Sequence, residues 1–483
     1  MNRTFMGEVQ TTENTSENYL CEDKPEAESK TREELSLITQ PMGMTPGRRS
    51  FFFSSSSSML EEILDIRNVQ KAFKQVTANK GAGGIDGMQT DKLRDYLNAN
   101  WQTLRTNILE GTYRPQAVRK VEIPKTSGGG TRMLGIPTVI DRVICQSIAQ
   151  WLSPQYEEEF SDYSYGFRVG RNGHQAVHQA QKHLNEGHEW IVELDLEKFF
   201  DLVNHDKLMG LLARKIADKR TLKLLRSYLN CGIMENGVLI ERAAGTPQGN
   251  PLSPVLSNIV LNELDKELEA RGHRYVRYAD DCSIYVKSEK SAARVLETIT
   301  EFIEKKLKLK VNRTKSKVSR PKESTLLGFS FYRSAKGWEI RIASKSLKKI
   351  KEKMKAHTQR KASGSAKDKI KKMESVICGW VNYFVIAKAK SRMEELDSWV
   401  RMRLRMGLWK QWKMPATRKN NLKRLGINTQ KAYEWSNSRK GYCRIAHSAI
   451  LQRALNNEYF ARQGYVGFSN HYYWKTTHQT KLF

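Results

Sequence analysis

The apolar positions of this chain fall into stretches of different period, and each predicts a different kind of element. Leu60, Ile63, Leu64 and Ile66 recur at helical spacing and predict a helix where order begins, near Met59. The next pattern is strand-like: "AVRKVEIPK" and "TRMLGIP" flank "TSGGG", which predicts two strands around a Gly-rich turn. In "WIVELDLEKFF" the residues Trp190, Ile191, Val192 and Leu194 predict a buried strand that runs into a helix. "NPLSPVLSNIVLNELDKELEARG" predicts an amphipathic helix starting near Ser253 or Pro254. "HRYVRYADDCSIYVKS" predicts a hairpin, with residues 274–278 in one strand and 283–286 in the other. Helical spacing then returns three times. It joins Leu347, Ile350 and Met354, then Ile377, Trp380, Val381 and Phe384, then Leu396, Val400, Leu404 and Leu408. The segment 110–340 is therefore mixed and the segment after it helical, with no internal repeat.

Length and charge sharpen this picture. With 483 residues, two or three domains are expected. Charged residues make up 28% and hydrophobic ones 39%, a globular composition. The net charge is +30 and the pI about 9.8, which favours a polyanionic partner. Nucleic acid fits better than a membrane, because no apolar run approaches the roughly 20 residues that span a bilayer. Without a secretory pattern, a cytoplasmic protein is expected. The six cysteines are scattered with no CxxC pair, which argues against a disulfide scaffold or a structural zinc site.

The charge is unevenly spread. Residues 1–40 hold nine acids and four bases, a net of −5, and disorder is expected there, followed by a Ser linker at 54–58. Residues 345–424 hold 24 Lys and Arg against six acids, a net of +18. A helical bundle with a solvated face would mix signs; one sign at this density suits a surface that follows phosphates.

Two adjacent aspartates, Asp280 and Asp281, fall at the turn of the expected hairpin, where they repel each other if both are charged. Asp is common in turns for its side-chain hydrogen bonds. A metal site is the sharper reading, and it needs a third carboxylate. Asp195, at the end of the predicted strand Trp190–Leu194, is the candidate. Mg2+ prefers carboxylate oxygens together with substrate phosphates. Two such ions about 4 Å apart suit nucleotidyl transfer. Phe200, five residues after Asp195, would form a floor under a sugar and exclude a 2′-hydroxyl by shape; core packing is its alternative. Lys125 and Arg132 flank the Gly-rich turn and would close on a triphosphate; solvation is theirs. "AAGTPQGNPLSP" supplies a turn with Gln248 exposed beside it. Cys282 is expected to be a small buried residue.

These residues resemble a known family. "RMLGIPTVIDRV", "YSYGFRVGRNGHQAV", "LDLEKFFDLVNHD", "GTPQGNPLSP", "RYADDCSIYV", "LKVNRTKSKV" and "TLLGFSFY" occur in the order of reverse-transcriptase blocks. "ICGWVNYF" and "WKQWKMPATRKNNLKRLGI" resemble a maturase region. From about residue 60 onward the chain resembles bacterial group II intron-encoded reverse transcriptases with maturase activity. The resemblance implies an α+β, right-hand polymerase fold: fingers and palm with an antiparallel palm sheet, then a helical thumb. The domains expected are a disordered acidic tail and linker (1–58), an N-terminal extension (59–110), fingers and palm (111–340), a basic thumb or maturase domain X (341–424) and a C-terminal maturase or DNA-binding extension (425–483).

The same resemblance implies roles. Asp195 and Asp280 would be metal ligands, Asp281 the second acid of the motif, and Leu196 a backbone ligand. Lys125, Arg132, Phe200 and Gln248 would hold the nucleotide. Tyr278, Lys315 and Gly328 would lie near primer and template. Two Mg2+ ions are implied, with Mn2+ as an alternative. The implied partners are intron RNA, an RNA template, a DNA primer or target and dNTPs, with no membrane and with a dimer allowed. In a bacterial cytoplasm the protein would associate with the nucleoid when bound to DNA. The implied function is RNA-directed DNA synthesis with splicing assistance and retrohoming. The alternatives are a splicing cofactor with little polymerase role, or a domesticated reverse transcriptase in host defence. Two departures stand out. Asn250 replaces a Gly common in relatives, where a local backbone adjustment without loss of activity is expected. Only Cys443 follows Cys378, so the paired cysteines of an HNH endonuclease are missing and no such nuclease is expected.

Overall fold

The computed structural model describes residues 59–124, 131–235, 238–240, 244–246, 249–360 and 364–479. The acidic segment and Ser linker expected over 1–58 lie outside the described residues, as does the Gly-rich turn. The described residues form two compact units, one ending at Ala343 and one beginning at Ser344. Among them no helix is long and apolar enough to cross a membrane.

The first unit opens with two helices where the apolar spacing predicts one, Met59–Ile63 and Ile66–Ala78. The break falls at Asp65, whose extended backbone and carboxylate cap the second helix by accepting Arg67 N–H at 2.9 Å. Leu60, Ile63 and Leu64 enter the core, whereas Ile66 stays exposed. Ten strands follow: β1 (Val118–Pro124), β2 (Thr131–Ile136), β3 (Trp190–Leu194), β4 (Ile233–Glu235), β5 (Val238–Ile240), β6 (Arg274–Tyr278), β7 (Asp281–Val286), β8 (Lys317–Ser319), β9 (Phe329–Ser334) and β10 (Gly337–Ile342). β1 and β2 pair antiparallel from Pro124 opposite Thr131, the hairpin predicted around "TSGGG". β4 adds to β1 in parallel, and β5 pairs antiparallel with β4.

The sheet that matters for function has the order β6-β7-β3-β8, every pair antiparallel. Side chains alternate across it. Val192, Leu194, Tyr275, Cys282, Ile284 and Val286 join one hydrophobic core with the helices behind the sheet. The helix Ser253–Ala270 lies there. Its pattern predicts an amphipathic helix, but most of its residues are buried, including Asn258, Asn262 and Asp265. The physical reason is that the helix packs between the sheet and the helices Val139–Glu157 and His205–Ala213, so solvent reaches only its last turns.

In the second unit the three helical spacings become Ser344–His357, Ala366–Phe384 and Lys390–Gln411. Ile350, Met354, Ile377, Val381, Phe384, Leu396, Val400, Leu404 and Leu408 form its buried faces. Residues beyond 424 are fastened to the same helices by one buried carboxylate. Asp397 accepts Tyr465 Oη–H at 2.8 Å, Phe468 N–H at 2.7 Å and Ser469 N–H at 2.9 Å, and so caps the helix Phe468–Gln479. Asp397→Ala should therefore destabilise this unit by about 3 kcal/mol, because several buried donors lose their acceptor at once. Hydrogen exchange over residues 465–479 should speed up first, and unchanged protection there would contradict the assignment.

Candidate active site

β3 ends at Leu194 opposite Cys282. Continuing that register by one residue sets Asp195 opposite Asp281. The strand exit is strapped by residues 310–316. Asp195 N–H donates to Ser316 Oγ at 3.0 Å, Asp195 C=O accepts Asn312 N–H at 2.8 Å, and Glu197 N–H donates to Lys310 C=O at 2.8 Å. Leu196 lies between these bonds, bridged to Val311, and its own carbonyl takes part in neither. The Asp195 carboxylate stands 3.5 Å from Lys315 Nζ.

β6 and β7 close on Tyr278 opposite Asp281, leaving Ala279 and Asp280 as the turn. Ala279 is left-handed, with φ +57°, a conformation uncommon outside glycine, asparagine and aspartate. Asp280 is half-buried; burial, opposed by its own backbone N–H and reinforced by the Asp195 charge, raises its carboxyl above the ordinary range. Asp281, the first residue of β7, is exposed. Desolvation there, then the charges of Asp280 and Asp195, push its carboxyl up to about 6.

Two carboxylates whose proton affinity is raised by burial and by neighbouring acids are a poor arrangement without a cation and a suitable one with it. Hard oxygen donors of this kind, with the backbone carbonyl of Leu196 next along the chain from Asp195, fit Mg2+. Among the described residues no three His, Cys, Asp or Glu side chains are gathered closely enough to hold a metal by themselves. Substrate oxygens would have to complete the set, and Asp195 would have to exchange Lys315 for the cation.

The other expected residues are placed variously. Phe200 is the second residue of the short helix Phe199–Leu202, half-buried, and meets the buried Phe199 edge-on at 5.2 Å. Its carbonyl accepts Thr246 N–H at 2.6 Å, which ties it to the loop that leads to Gln248. Gln248 and Lys125 lie outside the described residues. Arg132 lies in β2 opposite Ile123. Gly328, with φ +82°, accepts Ala343 N–H at 3.0 Å beside β9. Asn250 is buried and accepts Leu252 N–H at 2.9 Å, so the local backbone forms an Asx turn there. Cys282 is buried in β7.

A set of residues beneath the turn was missed. Arg277 in β6 is fully buried against the equally buried Asp265. Its guanidinium also donates to Asn258 Oδ1 at 3.1 Å and to the Ala279 carbonyl at 2.9 Å. The available signal was an arginine inside the strand "RYVRY", with Asn258 and Asp265 seven positions apart on one helix.

Strand order, the strapped Asp195 and the acidic turn define a polymerase palm of the reverse-transcriptase class. The reverse transcriptase (RNA-dependent DNA polymerase) family matches residues 123–331, and the group II intron maturase-specific domain matches residues 347–426. Protein YkfC of Escherichia coli (strain K12) is 32% identical over 316 residues, covering 57% of this chain and 83% of YkfC. The group II intron-encoded protein LtrA of Lactococcus lactis subsp. cremoris is 29% identical over 323 residues, covering 53% of this chain. The chain belongs to the family of group II intron-encoded reverse transcriptases with a maturase domain. It spans most of YkfC but only 54% of LtrA.

The raised pKa of Asp281 has a testable sign. Its folded value, about 6, exceeds the ordinary 3.8, so the fold favours the protonated form. Ionisation weakens the metal-free fold as pH rises from the lower value through the higher one. With a chelator present, Asp281→Asn should melt above wild type at pH 8 and at the same temperature below roughly pH 3, where both states are protonated. A gain at low pH instead of high pH would reverse the assigned sign.

Proposed function

We propose that this chain extends a DNA primer on an RNA template by two-metal nucleotidyl transfer, and that it also binds group II intron RNA to assist splicing and retrohoming. The observation that carries the first part is the meeting of Asp195, Asp280 and Asp281 at the end of one strand and the turn of its neighbour. When bound, divalent cations would lower the pKa of the primer 3′-hydroxyl and take up charge on the departing pyrophosphate. Asp280 and Asp195 hold that pair of cations, with Leu196 adding its carbonyl and Asp281 in support. Lys315, released from Asp195, turns to phosphate near the primer, beside Tyr278 and Gly328. Phe200 lies under the sugar, and its ring excludes a 2′-hydroxyl. Lys125 and Arg132 grip the triphosphate, and Gln248 lines the pocket.

The second part is supported by the maturase-specific match and by the charge of the second unit. Lys345, Lys348, Lys349, Lys353, Lys367 and Lys371 all face solvent from two helices. Such a face gains affinity for RNA by counterion release and loses it steeply with salt. RNA binding of this kind needs no palm carboxylate.

Asp280→Ala should abolish primer extension, leave the Kd for intron RNA within about twofold, and still support splicing in a maturase assay. Full extension by that variant would refute the polymerase reading, and lost splicing with intact RNA binding would refute two separable activities. Phe200→Ala should lower the preference for dNTP over rNTP about 100-fold, the scale of removing a steric exclusion. An unchanged ratio in single-nucleotide addition would remove the gate from Phe200.

A further inference from the structure

Arg277 spends every guanidinium nitrogen inside the protein. Nε donates to Asp265 Oδ1 at 2.8 Å, Nη2 donates to Asp265 Oδ2, and Nη1 is shared between Asn258 Oδ1 and the Ala279 carbonyl. The backbone of Arg277 is held as well. Its N–H donates to the Tyr163 carbonyl and its carbonyl accepts Tyr165 N–H, both at 2.9 Å, so residues 163–165 run beside β6. That run is fixed in turn by Arg168, buried on the Ser164 carbonyl at 2.8 Å and paired with Glu157. Asn258 completes the frame by donating to the Gly166 carbonyl at 2.8 Å.

Gly166 closes the frame over the turn. A Cβ at Gly166 would collide with the Ala279 nitrogen and come within 3.0 Å of the Tyr278 carbonyl carbon. The turn is thus pressed by Gly166 on one side and pulled by Arg277 on the other. The Ala279 carbonyl and the Asp280 N–H share one peptide plane, so fixing that carbonyl fixes the direction in which Asp280 leaves the backbone.

We infer that Arg277 is a positioning residue for catalysis: with Asp265 and Asn258 it clamps the Ala279 carbonyl, holds Ala279 left-handed, and so aims the Asp280 carboxylate. A purely stabilising role explains less. A buried ion pair commonly does no better for stability than apolar side chains of the same size, and Asp265 alone does not need the reach to Ala279. The guanidinium supplies direction, because its planar fork can serve a carboxylate and a carbonyl at once.

This inference rests on the polymerase reading, and its test separates the two. Arg277→Met combined with Asp265→Leu removes both charges together, so no orphan charge is left buried. The full-length double variant should keep the wild-type circular dichroism spectrum and bind template–primer within about twofold of wild type. Its kcat for single-nucleotide addition should fall about 100-fold, the size expected when a reacting group moves by roughly 1 Å, with the KM for dNTP changed less than about threefold. Mg2+ should raise its melting temperature less than it raises that of wild type. Adding Ala279→Gly should restore about tenfold of the lost kcat, because glycine takes the left-handed conformation unaided. A folded double variant with kcat within about threefold of wild type would overturn the clamp. So would a loss that glycine does not relieve, since that pattern belongs to a general structural role. If the double variant does not fold, Arg277→Lys serves in its place. It keeps the charge beside Asp265 but cannot bridge to the carbonyl, so kcat should drop about tenfold at constant KM, and an unchanged kcat would sink the proposal. A wild-type protein that adds no nucleotide would refute the polymerase reading alone, because the Mg2+ melting shift still tests the clamp.

Discussion

Electrostatic repulsion among Asp195, Asp280 and Asp281 is the constraint around which the first unit is built. Burial, and then the charge of Asp195 beside them, raises the proton affinity of Asp280 and Asp281. Such a cluster persists only if its backbone is over-determined from outside. Asp195 is held by the strap of residues 310–316, and the acidic turn by Arg277 of β6, itself anchored on the helix behind the sheet, and by the close approach of Gly166. A strained residue, the left-handed Ala279, lies directly before Asp280.

The helix Ser253–Ala270 shows how the scaffold meets that demand. Its polar residues Asn258 and Asp265 look misplaced in a buried helix until their partner is seen. Both face Arg277, and the three form one satisfied network in which each buried polar group finds a partner. Burial favours the neutral form of Asp265, and the guanidinium beside it is what opposes this. The acidic turn is therefore coupled to the core through hydrogen bonds and not through apolar packing alone.

The second unit handles charge by the opposite arrangement. Its apolar stripes bury one face of each long helix, and its lysines are spread over the solvent face with few acids among them. Like-charge repulsion there is tolerable because water screens it. Acidic side chains in this unit serve local structure: Asp397 caps a helix, and Asp368 completes a capping box with Ser365. Basic surface is thus left unneutralised for an external polyanion.

Much of this was legible in the chain. Period-two and period-3.6 patterns located the hairpins, the strand before Asp195 and the three long helices, because each of those elements buries one continuous face. Asp195, Asp280 and Asp281 could be grouped because strand ends and turns are where carboxylates reach a cleft. The pattern failed where burial came from several sides at once. It made one helix of two at Asp65, because a cap competes with periodicity, and it read the helix Ser253–Ala270 as half-solvated. It also passed over Arg277, since nothing local distinguishes a buried arginine from an exposed one in a strand. Sequence by itself determined the element types, the charge of each region and the chemical identity of the acids. Tertiary structure alone decided the register that sets Asp195 opposite Asp281 and the burial that turns Arg277 toward Ala279, because both depend on partners dozens of residues away that only folding brings together.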